Sequence, residues 1–310
     1  MRRSGLTAED LTFIQIVQKA TQAEVSGDDL NSEDLLFTPK KSLRGVTGKF
    51  DVGSHMEGRV PGGTLILAAA AAPLLARGLT YSSLTLSGET FTSNALSFDA
   101  FERSTAAAWR AQGMYVFPSL VSTGFGHGTR GEVHLDVEPS GLEPIDWAVR
   151  GELVSVGAVV TATDMAAQVA ERARAQLSTR TEGLGVEPDY VFNEIHGVES
   201  GLSVTIWAEF ERGVGSGSMV LQRGQNLSQA VDGAWDSFCS WFKTKATVDT
   251  FLADQILVPA VLTSGRTVFT TPVLTRRLLT MVWVIKQFFP IKITVLGREG
   301  EFGTVTIERD

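Results

Sequence analysis

Two arginines, Arg276 and Arg277, stand side by side at the start of an apolar, helix-like stretch, TTPVLTRRLLTMVWVIKQFFP (270–290). A guanidinium is a permanent cation that only donates hydrogen bonds. It binds phosphate or carboxylate and cannot serve as base or nucleophile near neutral pH. At a helix N-terminus two such charges add to the positive end of the backbone dipole, which suits an anion. Other chemistry-bearing groups are sparse. The four histidines are His55, His127, His134 and His196. No two of them fall at i, i+4 on a helix and no HExxH occurs, so a metal cluster has little support. His134, in EVHLDV, alternates to the outer face of a strand, and His196 reads as a turn residue at a strand end. There is no GxSxG and no GxxxxGK[ST]. The glycine-rich GFGHGTRGEV (124–133) reads either as a flexible hairpin or as a loop whose backbone approaches a nucleotide, with Arg130 near its phosphate. Asp254 and Gln255 are polar residues inside apolar FLADQILVP; either they cap a helix end or they reach into a pocket. Cys239, the single cysteine, lies in AWDSFCSWF and reads as a buried structural thiol.

The 310-residue chain is 43% hydrophobic and carries a net charge of −8. That length supports one complex domain or two to three modules. The acidic balance argues against broad, non-specific nucleic-acid binding, which uses a basic face, but leaves room for a small basic pocket for one RNA end. The N-terminus MRRSGLTAEDL has no apolar core of a signal peptide. The longest apolar run, TLILAAAAAPLLARGL (64–79), is interrupted by Pro73 and Arg77 and is too short to span a bilayer. A cytoplasmic protein without a membrane partner is the expectation.

The elements that must position these groups follow from periodicity. LTAEDLTFIQIVQKATQAE (6–24) predicts a helix, with Thr7 and Asp10 as a capping box and Leu11, Ile14 and Val17 as its stripe. NSEDLLFTPKK and GKFDVGS read as strand pieces joined by a turn. Residues 64–77 form an Ala-rich helix, 82–88 a strand, and 96–113 a helix that Gly113 stops. Two strands flank the glycine loop. From about 147 the texture changes: a strand, the helix DMAAQVAERARAQLS and further strands follow, with GVGSGS (213–218) as a turn. From about 226 helices resume at LSQAVDGAWDSFCSWFKTKA, TFLADQILVPAVLTSG and 274–288, and two strands close the chain. The pattern is α+β, with repeated units in which helices pack on one face of a sheet and a small module inserted between repeats.

These segments, in this order, resemble the RNA 3'-terminal phosphate cyclases and their cyclase-like relatives. EDLLFTP with GKFDVGS is similar to the family's LLFRPG…F.IGSAGS region, and LTLSGETFTSNALSFDAF to GGTxxxxAPxxDY. GFGHGTRGEV stands for the signature GxxPxGGGEV, TFLADQILVPAVL for YLADQL.LPMAL, and LLTMVWVIKQFFPIKITV for HLLTNI..VE.FLPV.F.V. The resemblance implies repeated βαβαββ-like units with an inserted α+β domain. The expected division is 1–146 for the first two units, N-terminally shortened, 147–224 for the insertion and 225–310 for the last unit. It implies ATP-dependent conversion of an RNA 3'-phosphate to a 2',3'-cyclic phosphate. In that reaction a histidine takes AMP covalently, a divalent metal assists, and an RNA 3' end is the partner.

The departures matter as much as the matches. The family's EGGGQ-type motif should precede residue 1. Its absence leaves a sheet edge to be closed differently, by a partner chain, or by sequence not present here. The nucleophilic histidine immediately precedes LLT, and Arg277 occupies that place. His127 replaces the signature proline, Thr129 and Arg130 replace glycines, and Phe251 replaces a tyrosine. The resemblance assembles one pocket. Gly53 and Ser54 come from its turn; Phe125, His127, Gly128 and Arg130 come from its loop. Phe251, Asp254, Gln255, Arg276 and Arg277 come from its C-terminal helices. The expectation is a cyclase-like protein without nucleotidyl transfer that binds a phosphate, nucleotide or RNA end. The alternatives are an active ATP-dependent RNA 3'-phosphate cyclase and a non-catalytic assembly or scaffold protein in RNA processing; His127 as substitute nucleophile is a separate rival, and a protein partner or a homo-oligomer is a further expectation.

Overall fold

The computed structural model describes residues 5–55, 62–92, 95–163, 166–221 and 225–309. The chain divides into two compact units. The first comprises Met1–Phe98, Met114–Gly141 and Ile195–Gly201; the second comprises Asp99–Gly113, Leu142–Glu194 and Leu202–Asp310.

Unit 1 begins with α1 (Ala8–Thr21), and its capping box is present. The Thr7 N–H donates to Asp10 Oδ2 at 2.8 Å and the Asp10 N–H donates to Thr7 Oγ1 at 3.3 Å. The short strands β1 (Glu24–Ser26) and β2 (Leu36–Thr38) pair with each other. β3 (Thr47–Asp51) instead pairs in parallel with β4 (Ser82–Gly88). The two segments read from sequence as strands joined by a turn therefore belong to different sheets. A 3-10 turn (Val52–His55) follows β3, and α2 (Thr64–Ala76) follows later. Ala68, Ala71, Ala72 and Leu75 of α2 are fully buried, because small side chains let a helix lie close to a sheet. β5 (Val116–Ser122) and β6 (Gly131–Val137) complete the order β3-β4-β6-β5. Leu84, Leu86, Val133 and Leu135 line its buried face. His134 is on the other face as expected, but half-buried, with Nε2 3.2 Å from Ser83 Oγ and Nδ1 3.3 Å from Thr85 Oγ1.

Unit 2 opens with α3 (Phe98–Ala100) and α4 (Ala106–Ala111), joined by a π-helical turn at Phe101–Thr105. The continuous helix expected over 96–113 thus carries a bulge, and Gly113 ends it at φ +71°. β7 (Asp146–Trp147) pairs in parallel with β12 (Gly265–Thr271). β8 (Leu153–Ala162), α5 (Ala167–Thr181), β9 (Asp189–Glu194), β10 (Leu202–Phe210) and β11 (Gly213–Val220) form a sheet ordered β11-β10-β8-β9 with a covering helix. α6 (Leu227–Phe242) packs on the same apolar face. GVGSGS is strand rather than turn. Its glycines let α6 sit close: a Cβ on Gly217 would fall 2.0 Å from the Phe238 nitrogen, and one on Gly215 would fall 2.7 Å from the Trp241 ring. The turn itself is Glu211–Arg212, between Phe210 and its partner Gly213.

The last helices read as one from sequence are two, α7 (Leu252–Gln255) and α8 (Leu257–Val261). α9 (Arg276–Phe288), β13 (Lys292–Leu296) and β14 (Gly303–Arg309) complete the sheet β13-β14-β12-β7. The first, second, fourth and third strands are neighbours here as they are in β3-β4-β6-β5. In both sheets the first pair is parallel and the later pairs are antiparallel. The fold is α+β, and the repeat is visible in strand order. Among the described residues no helix is long and apolar enough to cross a membrane.

Candidate functional site

In unit 1 the glycine loop is a tight connection between β5 and β6. Gly126 and Gly128 take φ of +84° and +86°, which an L side chain resists. A Cβ on Gly131 would meet the Ser122 carbonyl oxygen at 2.6 Å, so turn geometry alone accounts for glycine there. Phe125 points inward, stacked on Phe91 with ring centroids 4.8 Å apart. Arg130 folds back over Gly53: its Nη1 lies 2.9 Å from Asp51 Oδ2, and the Gly53 N–H donates to Asp51 Oδ1 at 2.8 Å. The guanidinium near the expected phosphate is therefore already paired. Ser54 lies in the 3-10 turn, and its side chain falls outside the described residues.

His127 is exposed, and its Nδ1 is 3.4 Å from Glu89 Oε2. The Gly128 N–H donates to Glu89 Oε1 at 3.0 Å, so the buried Glu89 carboxylate holds the loop from below. A cavity of about 290 Å³ opens beside these residues. Glu9 and Glu89 are on its wall, and its described lining includes no lysine or arginine. Two carboxylates facing one cavity repel a phosphate. Sequence reasoning missed Glu89; its acidic side chain, at a position where the GGT motif has glycine, was the available signal.

In unit 2, Arg276 and Arg277 are the first residues of α9, where Thr275 Oγ1 caps by accepting from the Leu278 N–H at 3.1 Å. A cation here is opposed by the helix dipole. For Arg277 the compensation is Asp254 on α7, whose Oδ2 accepts from Arg277 Nε. The guanidinium also lies over the Phe251 ring, 5.2 Å from its centroid. Asp254 is only 2% exposed, and its Oδ1 has no hydrogen-bond partner among the described residues. Burial pushes its carboxyl above the usual range, and Arg277 pulls against that rise. Gln255 contributes its backbone carbonyl, which accepts from Trp109 Nε1 at 2.9 Å. Asp249, not singled out from sequence, starts α7: its Oδ1 accepts from the N–H groups of Phe251 and Leu252, both at 2.8 Å. Arg276 is exposed and has no ion-pair partner among the described residues.

The structure thus forms two constellations, Asp51–Gly53–Arg130 with Glu89–His127–Gly128 in unit 1, and Phe251–Asp254–Arg277 in unit 2. Unit 2 contains no histidine. Among the described residues no three His, Cys, Asp or Glu side chains converge to hold a metal ion. Cys239 is buried, and burial raises its thiol pKa, in keeping with a packing role.

Comparison with known proteins matches nearly the whole chain. The family model described as RNA 3'-terminal phosphate cyclase matches residues 1–295. A protein named RNA 3'-terminal phosphate cyclase from Methylococcus capsulatus is 27% identical over 99% of this chain and 85% of its own length. One of the same name from Pyrococcus furiosus is 28% identical over 98% and 87%. Another, from a Nostoc species, is 30% identical over 95% and 85%. With the match running through both units, the chain belongs to the RNA 3'-terminal phosphate cyclase family.

Proposed function

We propose that this family member does not form a covalent nucleotidyl intermediate and acts instead by recognising a phosphate-bearing RNA 3' end. One observation carries the reading. Arg277, which the resemblance of LLTMVWVIKQFFPIKITV to the family's segment puts in the place of its histidine, has its guanidinium committed to the buried Asp254 and to the Phe251 ring. It has no free lone pair with which to attack a phosphorus atom. Arg276, without an ion-pair partner among the described residues, stands at the N-terminus of α9 and supplies the cation for an anionic end. The acid-lined cavity beside His127 supports the same reading, since it disfavours a triphosphate there.

Incubation with α-labelled ATP and a divalent metal is expected to leave the protein unlabelled; an acid-labile, base-stable adenylyl group on the chain overturns the reading. In filter binding, a 3'-phosphorylated oligonucleotide should be retained better than its 3'-hydroxyl counterpart, and Arg276→Ala should remove that preference. A second reading rests on His127, an exposed imidazole beside the Glu89 carboxylate. It makes the protein an active cyclase with a displaced nucleophile. It predicts label that is present in the native chain and absent from His127→Ala.

A further inference from the structure

From Thr270 to Arg298 the chain contains five cations and no aspartate or glutamate, in a protein whose net charge is −8. α9 runs through this stretch. It buries Leu278, Val282 and Ile285 and turns its other side to solvent. With 3.6 residues per turn, Arg276, Thr280, Trp283 and Gln287 form one exposed stripe, and Val284 with Phe288 lies beside it. Trp283 is 61% exposed and Phe288 77%. Large aromatic rings held in water on the solvent side of one helix mark an interaction surface.

Charge identifies what that surface meets. Arg277 is neutralised by Asp254, and Lys292 by Glu308 at 2.6 Å. Arg276 and Lys286 have no ion-pair partner among the described residues. The partner is therefore anionic, and it must also offer flat apolar faces to the rings. Single-stranded nucleic acid does both: phosphates meet cations, and each base has a π face that stacks on an aromatic side chain. Trp283 and Phe288 are five residues apart, about 7.5 Å along the axis and about 140° around it, so they bracket the exposed side of α9 and a strand that meets both must cross it obliquely. A helix that lies in a bilayer carries a continuous apolar face. Here Thr280 and Gln287 interrupt the stripe that holds Trp283.

We propose that the outer face of α9 is a stacking track for the internal nucleotides of a single strand, with Trp283 and Phe288 receiving bases and Arg276 and Lys286 receiving phosphates. The overall acidity conceals this local basic face. The track shares Arg276 with the proposed 3'-phosphate site but needs no particular strand end, so a probe with a plain 3'-hydroxyl reads the track by itself.

The test is fluorescence anisotropy with a short fluorescein-labelled oligouridine ending in a plain 3'-hydroxyl, at low and at physiological salt. Binding is expected for the native chain, and Trp283→Ala combined with Phe288→Ala should weaken it about tenfold or more. Trp283→Phe keeps a ring and should stay within about threefold. Lys286→Ala should reduce the salt dependence of binding. All four side chains are exposed, so urea midpoints should not move; should the double alanine variant fail to fold, Arg276→Glu with Lys286→Glu asks the same question by reversing charge. No binding by the native chain at low salt, or equal binding by the folded variants, overturns the proposal. Capture on phosphatidylserine-containing vesicles that depends on Trp283 and Phe288, without oligouridine binding, also overturns it and assigns the face to a bilayer. Failure of 3'-phosphate preference alone leaves the track standing, because this probe carries no such phosphate.

Discussion

In the loop cluster of unit 1 an arginine meets a carboxylate in water: the Arg130 and Asp51 side chains are 54% and 34% exposed. At α9 the same two side-chain types meet at the edge of the interior, with Arg277 52% exposed and Asp254 2%. Solvent makes the first pair nearly neutral in energy, since exposed ion pairs contribute about 0–1 kcal/mol. The second pair has a different character. Removing one partner leaves a desolvated charge, which for fully buried pairs costs about 3–5 kcal/mol. Arg130 can therefore change with little structural consequence, whereas Arg277 is also part of what holds α9 against α7. An effect of substitution at Arg277 on ligand binding means little until stability has been measured beside it.

The contrast between carboxylates in water and carboxylates removed from it can be pressed hardest at Asp99. This residue is 1% exposed; Thr161 Oγ1 donates to its Oδ1 at 3.0 Å, and its Oδ2 has no hydrogen-bond partner among the described residues. Burial raises its pKa to about 7, and neighbouring Glu102 adds to the rise while Arg103 opposes it. The folded state thus holds the proton more tightly than the unfolded chain. Asp99's contribution to stability is fullest below about pH 4 and declines as pH climbs to about 7. Asp99→Asn should abolish that decline and gain on the order of 4 kcal/mol at pH 8, relative to the native chain. Urea unfolding across pH measures it; a native chain equally stable at pH 4 and pH 8 would place the carboxylate in water after all.

A smaller effect is expected at the α9 pair. Arg277→Ala should cost about 2 kcal/mol at neutral pH, below the fully buried case because the guanidinium is half exposed. The loss should shrink at acidic pH, where Asp254 takes up a proton. Equal loss at both ends of the pH range would mean that packing on Phe251, not charge, is what Arg277 supplies. Smallest of all, Arg130→Ala should change stability by about 0.5 kcal/mol or less. A loss as large as that at Arg277 would erase the distinction between the two clusters.

Legibility followed the range of the interaction. The Thr7–Asp10 capping box spans one helical turn and was readable directly. The amphipathic stripes of α1, α6 and α9, and the alternation of β4 and β6, were readable as periods. β11 was not, because its glycines imitate a turn; they are there to admit α6, which follows later in the chain. The π bulge at Phe101–Thr105 left no mark in the periodicity. Among the site residues, Arg277 and Arg130 stood out by type and position. Their partners Asp254 and Asp51, and the Glu89 that grips the glycine loop, are far away in sequence and could not be assigned from it.

By itself the sequence determined the inventory. It places two adjacent guanidiniums at the start of α9, no histidine after His196, an acid-free basic stretch through α9, and a match to one family over residues 1–295. Residue type decides such things, because a lone pair, a permanent charge or an aromatic face belongs to the side chain wherever it sits. Only the tertiary structure decided which of those charges are spent. Arg130 and Arg277 are paired, Arg276 and Lys286 lack ion-pair partners among the described residues, and Asp99 and Asp254 are buried. The reason is that a charge's energy depends on its distance to a partner and on the dielectric around it. Both are set by segments that meet only once the chain has folded.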